Sequence, residues 1–212
     1  MKRTSAVIAA AALVMLAGCS VTKDENGKIA QYTGTMSYSN TNWTVNTNDG
    51  EIVVTFDGPF STGWEVSKLA KNTKIAGHDD NSISFDVTKS GTNELIVQND
   101  MHTDGCVNRQ SLKIGFTADS NKRMYDVTIS PVIENVLATV SDEELDGLSE
   151  KEQDALYNKI SEENAACTVK YNDITSNGGT FIDENYESDN ETEEPAETET
   201  AEPSASASAE AE

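Results

Sequence analysis

The strongest constraint on the fold is an alternation of apolar and polar residues that recurs through the middle of the chain. Apolar side chains at every second position all lie on one face of a β-strand. Four such triplets occur: Ile52, Val54 and Phe56; Ile83, Phe85 and Val87; Leu112, Ile114 and Phe116; and Tyr125, Val127 and Ile129. Each triplet predicts a strand with one face turned toward a core.

Weaker apolar runs in the same region raise the predicted number to about eight strands. Turn-forming stretches such as "NTNDG", "GHDDNS" and "KSGTN" separate them. Short strands at this spacing predict a mainly β domain, an immunoglobulin-like antiparallel β-sandwich over residues 28–140. A segment of this length is long enough to bury a core of ordinary domain size.

The composition changes after the predicted sandwich, over residues 141–182. Ser149 followed by Glu152 matches a capping box, and an imperfect apolar stripe follows it, so we predict a short helix from Glu150 to Glu163. The stretch "SNGG" lies between residues 169–171 and 180–182 and could form the turn of a small hairpin. This segment is therefore predicted to be a short helical appendage to the sandwich.

The amino terminus has the order of an export signal. Lys2 and Arg3 precede an uninterrupted apolar run from Ala6 to Ala17, which is followed by Gly18 and Cys19. Twelve helical residues span well under the roughly 30 Å of a bilayer's hydrocarbon core. We therefore predict that residues 1–18 are a signal peptide that is removed, and not a permanent membrane span.

The last four residues of this signal, "LAGC" from Leu16 to Cys19, resemble the lipobox of bacterial lipoproteins. The resemblance implies that the Cys19 sulfur receives a diacylglycerol and that the chain is cut just before it. Residues 19–27 would then link the lipid to the domain, and the protein would sit on the extracytoplasmic face of the cell membrane. Two buried acyl chains make such anchoring stable. The alternative is an ordinary cleaved signal with an incidental cysteine.

Export to an oxidising compartment makes a disulfide possible for the two remaining cysteines. Cys106 and Cys167 are separated by 60 residues, and closing a loop of that length would stabilise the fold by about 4 kcal/mol in the chain-entropy model. The alternative is two free thiols too far apart to react.

The carboxyl-terminal segment, residues 183–212, is acidic and of low complexity. It contains twelve acidic residues and no Lys or Arg, within a chain of net charge −22. We predict that it is disordered, because it has too little apolar surface to offset the entropy of ordering. It would act as a solvated spacer, or as a weak binder of divalent cations or cationic wall polymers. The acidity of the whole chain argues against nucleic acid as a partner.

Few residues suggest catalysis or metal binding. The chain has no GxSxG, HExxH, Walker or GxGxxG motif and no CxxC pair. His102 has Asp100 and Asp104 close in sequence, and imidazole with carboxylates suits zinc or a similar ion. His78 is followed by two aspartates in the same way. Because Asp, Asn and Gly also form ordinary turns, both histidines can equally lie in loops without a metal. No cofactor is predicted.

The stretch "DGPFSTGWEVS", residues 57–67, lies between two predicted strands. It resembles the threonine-glycine-aromatic loop of chagasin-type cysteine-protease inhibitors, which are β-sandwiches of similar size. The resemblance implies that Thr62, Gly63 and Trp64 would enter a protease cleft. The alternative is that Trp64 packs inside the sandwich, as large aromatic side chains usually do.

Three hypotheses about function follow. The first is a lipid-anchored, non-enzymatic binding module whose loops meet an extracellular protein or a wall component. The second is a cysteine-protease inhibitor that uses the Trp64 loop. The third is a metal-binding protein or metal-dependent hydrolase centred on His102. A sandwich fold alone does not distinguish them, because it supports many unrelated activities.

Overall fold

The computed structural model describes residues 13–14, 20–23, 29–48 and 50–183. The strands are β1 (Leu13–Val14), β2 (Ser20–Lys23), β3 (Ile29–Met36), β4 (Thr41–Asn48), β5 (Glu51–Asp57), β6 (Glu65–Lys68), β7 (Thr73–Asp79), β8 (Ser82–Val87), β9 (Gly91–Thr103), β10 (Cys106–Ala118) and β11 (Met124–Val136). Two helices follow, α1 (Asp142–Leu145) and α2 (Glu150–Asn177).

The strands form two antiparallel sheets. The first, here called the long sheet, has the order β1-β11-β10-β9-β6, and the second, the short sheet, has the order β2-β3-β4-β5-β8-β7. Apolar side chains from the two sheets meet in one cluster. The predicted mainly β, two-sheet sandwich is therefore confirmed.

The cluster between the sheets, here called the sheet core, follows from the period-two pattern. The triplets of β5 and β8 and that of β10 are buried, and Val45, Leu95 and Val97 join them from neighbouring strands. The remaining members are Tyr32, Met36, Trp43, Trp64, Ala70, Ala118 and Met124. Alternation on both sheets turns these side chains toward each other and the polar ones toward solvent.

The long sheet extends beyond the short sheet. Strands β9, β10 and β11 have 13 residues each, whereas β3 and β4, the longest strands that the structure describes in the short sheet, have eight. At about 3.4 Å per residue the long strands reach roughly 40 Å, so one end of their inner face is left uncovered by the other sheet. A second cluster, here called the helix core, covers that end and includes Tyr171 of α2. Its other buried members are Tyr38, Phe60, Met101, Ile133 and Phe181.

Helix α2 is twice as long as predicted. Its start at Glu150 and the capping box of Ser149 and Glu152 are confirmed, but the helix continues through Asn177 and includes residues 169–171, which were predicted as the first arm of a hairpin. That prediction was wrong because no Gly or Pro interrupts the segment before Gly178, which ends the helix in the left-handed conformation with φ 71°. The stretch "SNGG" is thus a helix terminus. A further one-turn helix, α1, was not predicted.

The fourth apolar triplet is oriented only partly as expected. Val127 and Ile129 pack against the sheet core, but Tyr125 is 50% exposed. The pairing of β10 with β11 shifts register between Gly115 and Thr117, and Asp126 has a positive φ of 53°. This irregularity breaks the strict alternation on which the prediction relied.

Parts of the predicted signal and linker are paired with the sheets. Leu13 and Val14 pair with Ile133 and Val132 at the edge of the long sheet. Residues 20–23 of the predicted linker form β2, an exposed edge strand beside β3. The rest of residues 1–19, Cys19 included, and residues 184–212 of the predicted tail lie outside the described residues. Within the described residues, no helix has the length and apolar character needed to cross a bilayer.

Candidate functional site

The loop before β6 resembles a protease-binding loop, with burial of Trp64 as the alternative, and the structure places the Trp64 side chain in the sheet core. Trp64 is 1% exposed and its ring stacks on Phe56 with centroids 3.6 Å apart. Its indole Nε1 donates a hydrogen bond to the Phe60 carbonyl at 2.9 Å. Of the two interpretations of Trp64, packing inside the sandwich is confirmed, and entry into a protease cleft is contradicted because the ring lies between the sheets.

Thr62 and Gly63, in contrast, are exposed, and the backbone beneath them is held in place. The Asn99 amide nitrogen donates to the Thr62 carbonyl at 2.7 Å and to the Phe60 carbonyl at 3.0 Å. Gly63 has φ +78°, a conformation that favours glycine. The protease-inhibitor interpretation stays a prediction that concerns Thr62 and Gly63 alone.

His78 lies in strand β7, at the edge of the short sheet, and not in a loop as expected. Its Nε2 lies 2.9 Å from the Trp64 carbonyl oxygen, so the side chain bridges the edges of the two sheets. An open depression of about 500 Å³ adjoins it, lined by Gly63, Trp64, Glu65, His78, Asp79 and Asp80. The acidic side chains make this surface suitable for a partner with basic or hydrogen-bond-donating groups.

A second depression of about 290 Å³ shares Gly63 and Glu65 with the first. Its other lining residues are Gln98, Asn99, Asp100 and His102. The two depressions together, here called the loop face, bring both histidines to the surface around Gly63. Three of the lining residues, Glu65, Gln98 and Asn99, were not among the candidates that the sequence offered.

Asp100, His102 and Asp104 do not form a metal-ligand set. Asp100 accepts two hydrogen bonds from Arg109, at 2.6 Å and 2.7 Å, and Asp104 forms an ion pair with Lys170. Among the described residues, no group of three or more His, Cys, Asp or Glu side chains is arranged to hold a metal ion. Both carboxylates are instead paired with basic side chains of the protein, Asp100 with Arg109 and Asp104 with Lys170.

The side-chain hydrogen bonds from Arg109 lower the pKa of Asp100. Partial desolvation opposes this shift, and the positive charge of Arg109 adds a smaller lowering. The same pair raises the pKa of Arg109. The "TDG" stretch, residues 103–105, is the sequence signal that places Arg109 opposite Asp100. Asp104 and Gly105 both have positive φ, as in a two-residue hairpin turn, and a hairpin centred there places residue 100 opposite residue 109. For the same reason His102 lies in strand β9 and not in the predicted loop.

The predicted pairing of the two cysteines agrees with the structure. The sulfur atoms of Cys106 and Cys167 are 2.12 Å apart and the Cα atoms 5.5 Å apart, within the range of disulfide geometry. The bond joins the start of β10 to the middle of α2. It fixes the helix to the overhanging end of the long sheet.

Comparisons with known proteins add no family to this description. No protein-family model, no curated protein and no solved structure matches the chain.

Proposed function

We propose that this chain is an extracytoplasmic lipoprotein, anchored in the cell membrane through Cys19, that binds a partner without catalysing a reaction. The observation that carries the proposal is the order of the amino-terminal residues: two basic residues, twelve apolar residues and "LAGC". In this proposal residues 1–18 are removed and a diacylglycerol on the Cys19 sulfur holds the mature chain on the outer side of the membrane.

The disulfide supports the proposed location outside the cytoplasm. Disulfides persist outside the cytoplasm and are rare within it, where thiols are kept reduced. Cys106 and Cys167 are held at bonding distance by two separate elements of the fold. A protein that requires this bond for its helix core would mature after export.

The binding role is supported by the loop face. Loops that a rigid scaffold positions often carry binding sites. Here the Gly63 loop, whose backbone Asn99 holds at Thr62, adjoins side chains from strands β6, β7 and β9. The partner in this proposal is an extracellular protein or a wall component. Glu65, Asp79 and Asp80 around the face favour basic groups on that partner.

The anchoring is tested by producing the full chain in a bacterium and separating membrane from soluble fractions. We expect the wild type in the membrane fraction and accessible to a protease added outside the cell. Cys19→Ala should move the protein out of the membrane fraction, whereas Ser20→Ala, one residue further, should leave it there. Equal distribution of the Cys19→Ala variant and the wild type would contradict the proposal.

A further inference from the structure

The proposed anchor and the loop face belong to opposite edges of the short sheet. Strand β2 is the first strand of that sheet and β7 the last, with β3, β4, β5 and β8 between them. The order contains five inter-strand steps, and at about 4.8 Å each they separate the two edges by roughly 24 Å. His78 and Asp79 of the loop face belong to β7, whereas the residue after Cys19 is the first residue of β2.

The long sheet ends on the same two sides. At the loop face, His78 of β7 lies 2.9 Å from the carbonyl oxygen of Trp64, which directly precedes β6. On the other side, Val14 pairs with β11, and only five residues separate it from Ser20 of β2, a stretch that reaches about 20 Å at most. One side of the sandwich therefore carries β11 and β2, and the opposite side carries β6, β7 and the loop face.

The anchor has almost no free chain between the lipid and the fold. Ser20 pairs with Thr33 of β3, and the hydroxyl oxygens of the two side chains are 2.5 Å apart. Because consecutive Cα atoms are about 3.8 Å apart, the Cα atom of Cys19 is one such step from a residue that is part of the sheet. A diacylglycerol on the Cys19 sulfur would therefore hold β2 close to the lipid headgroups.

The surface of β2 is compatible with this position. All four residues of the strand are exposed, and they include Val21, 47% exposed, and Lys23, with no acidic side chain. Apolar and basic side chains both favour the headgroup region of a bilayer that contains anionic lipid. The loop face, in contrast, carries Glu65, Asp79 and Asp80, which such a surface repels.

We propose that the mature protein lies with its β2 edge on the membrane surface and with the loop face on the opposite edge, directed away from the bilayer. The lipid provides the attachment, and its direct connection to β2 sets the orientation. Val21 and Lys23 add to the contact but do not replace the lipid, because even a single acyl chain binds a membrane only marginally. A partner then reaches the loop face from the side away from the membrane. This inference rests on the proposed anchoring through Cys19.

The test compares how close three surface sites are to the lipid headgroups. The full chain, processed and lipidated in a bacterium, carries one added cysteine: Thr22→Cys on β2, Thr44→Cys on the outer face of β4, or Asp80→Cys on the loop face. With Cys19 acylated and the other two cysteines joined in the disulfide, only the added thiol takes a fluorophore.

The labelled protein is inserted into vesicles of equal parts phosphatidylcholine and phosphatidylglycerol that contain a lipid with a spin-labelled headgroup, which quenches nearby fluorophores. We expect strong quenching at Thr22, weaker quenching at Thr44 and none at Asp80. Quenching at Thr44 or at Asp80 as strong as that at Thr22 would mean that the short sheet lies flat on the bilayer or that the domain has no fixed orientation. Either result would overturn the proposal.

An inserted linker tests whether the direct connection to β2 sets the orientation. A segment of about twelve Gly and Ser residues between Cys19 and Ser20 keeps the lipid but reaches roughly 20 Å. Quenching at Thr22 should then fall toward the level at Asp80. The same segment added after Glu212 is the matched control and should leave the quenching at all three sites unchanged. Undiminished quenching at Thr22 with the segment at the anchor would contradict the proposal.

The orientation and the anchoring fail in different ways. Lipidated, membrane-bound protein with equal quenching at the three sites would overturn the orientation alone and leave the anchoring intact. Protein that is unmodified at Cys19 and absent from the membrane fraction would overturn both proposals.

Discussion

The sheet core and the helix core cover the two ends of the same long sheet by different means. Among the residues whose burial the structure describes, the sheet core contains 19 buried side chains, nearly all aliphatic or aromatic and contributed by both sheets. Within the same part of the chain the helix core contains six, and α2, whose residues the structure describes in full, contributes only Tyr171 as a buried residue.

Directional and covalent contacts replace apolar area in the helix core. The Tyr171 hydroxyl donates to the Ile133 carbonyl at 2.9 Å, the Tyr38 hydroxyl donates to the Thr175 carbonyl at 3.1 Å, and the disulfide fixes the helix midpoint. At the boundary, Gln110 accepts a hydrogen bond from Ser39 at 2.8 Å. The difference indicates that the sandwich folds on hydrophobic burial, whereas the attachment of α2 depends on a few specific bonds.

The largest effect is expected in the sheet core. Trp64→Ala removes a fully buried ring that stacks on Phe56, and it should lower the free energy of unfolding by about 3–5 kcal/mol. Urea denaturation followed by circular dichroism measures this change. Tyr125→Ala is the control, because Tyr125 is half exposed, and it should cost about 1 kcal/mol or less. A similar decrease in the free energy of unfolding for both variants would contradict the assignment of Trp64 to the sheet core.

The next effect is expected at the disulfide. Replacing both Cys106 and Cys167 by Ala should lower the free energy of unfolding by about 2–5 kcal/mol. The comparison of the two cores predicts where this loss appears. Amide hydrogen exchange should accelerate throughout α2 while the amides of β5, β8 and β10 keep more of their protection. Uniform acceleration in both cores would show that they do not differ in the way described.

A smaller effect is expected from a single hydroxyl. Tyr171→Phe leaves the buried Ile133 carbonyl without its donor and should cost about 1–2 kcal/mol. Tyr157→Phe, on the exposed side of the same helix, should change stability by a few tenths of a kcal/mol at most. Thermal unfolding of the two variants measures the difference. Equal melting temperatures would show that the Tyr171 hydroxyl does not hold the helix.

The same hydroxyl predicts a pH dependence at the alkaline end. Burial raises the pKa of Tyr171, with Glu134 and Tyr38 adding to the shift. The neutral Tyr171 hydroxyl makes its full contribution to the free energy of unfolding below the pKa of an unfolded tyrosine, about 10. This contribution declines as pH rises from there through the folded pKa. The Tyr171→Phe variant should lack this part of the decline. Parallel alkaline unfolding curves for variant and wild type would contradict it.

The smallest effect is expected on the surface of the long sheet, at the pair of Asp100 and Arg109. Because both side chains are about one-third exposed, Asp100→Asn should cost about 1 kcal/mol or less. Because the pKa of Asp100 is lowered in the folded protein, its ion pair with Arg109 adds to the free energy of unfolding above the unfolded pKa, about 3.9. This contribution is lost as pH falls through the folded pKa of Asp100. The stabilities of wild type and variant should therefore converge in acid. A constant difference down to the lowest pH at which the protein folds would exclude this ion pair as its origin.

Local patterns predicted the sheet core better than the helix core. Strands β5, β8 and β10 lie between two neighbours in their sheets and pair in continuous register with β8, β5 and β9, respectively. Alternation of apolar and polar residues was therefore enough to identify their buried faces. The Ser149 and Glu152 capping box likewise gave the first residue of α2. The far end of that helix has few buried side chains and is fixed by Tyr171 and the disulfide. Such long-range contacts leave no periodic signal in the sequence.

The candidate sites were predicted less well for a related reason. The sequence left two interpretations of Trp64 because it stands in a turn-rich stretch, and its stacking on Phe56 of the facing sheet decides for burial. The depression between α2 and the β9–β10 hairpin depends on how residues 180–182 return to the sheet. No sequence motif near these residues indicates this return.

Mass spectrometry of the amino-terminal peptide from membrane-extracted protein tests the central claim most directly. The account predicts a peptide that begins at Cys19 and is heavier by the mass of a diacylglycerol on its sulfur. A peptide with an unmodified Cys19, or one that still carries residues 1–18, would contradict it.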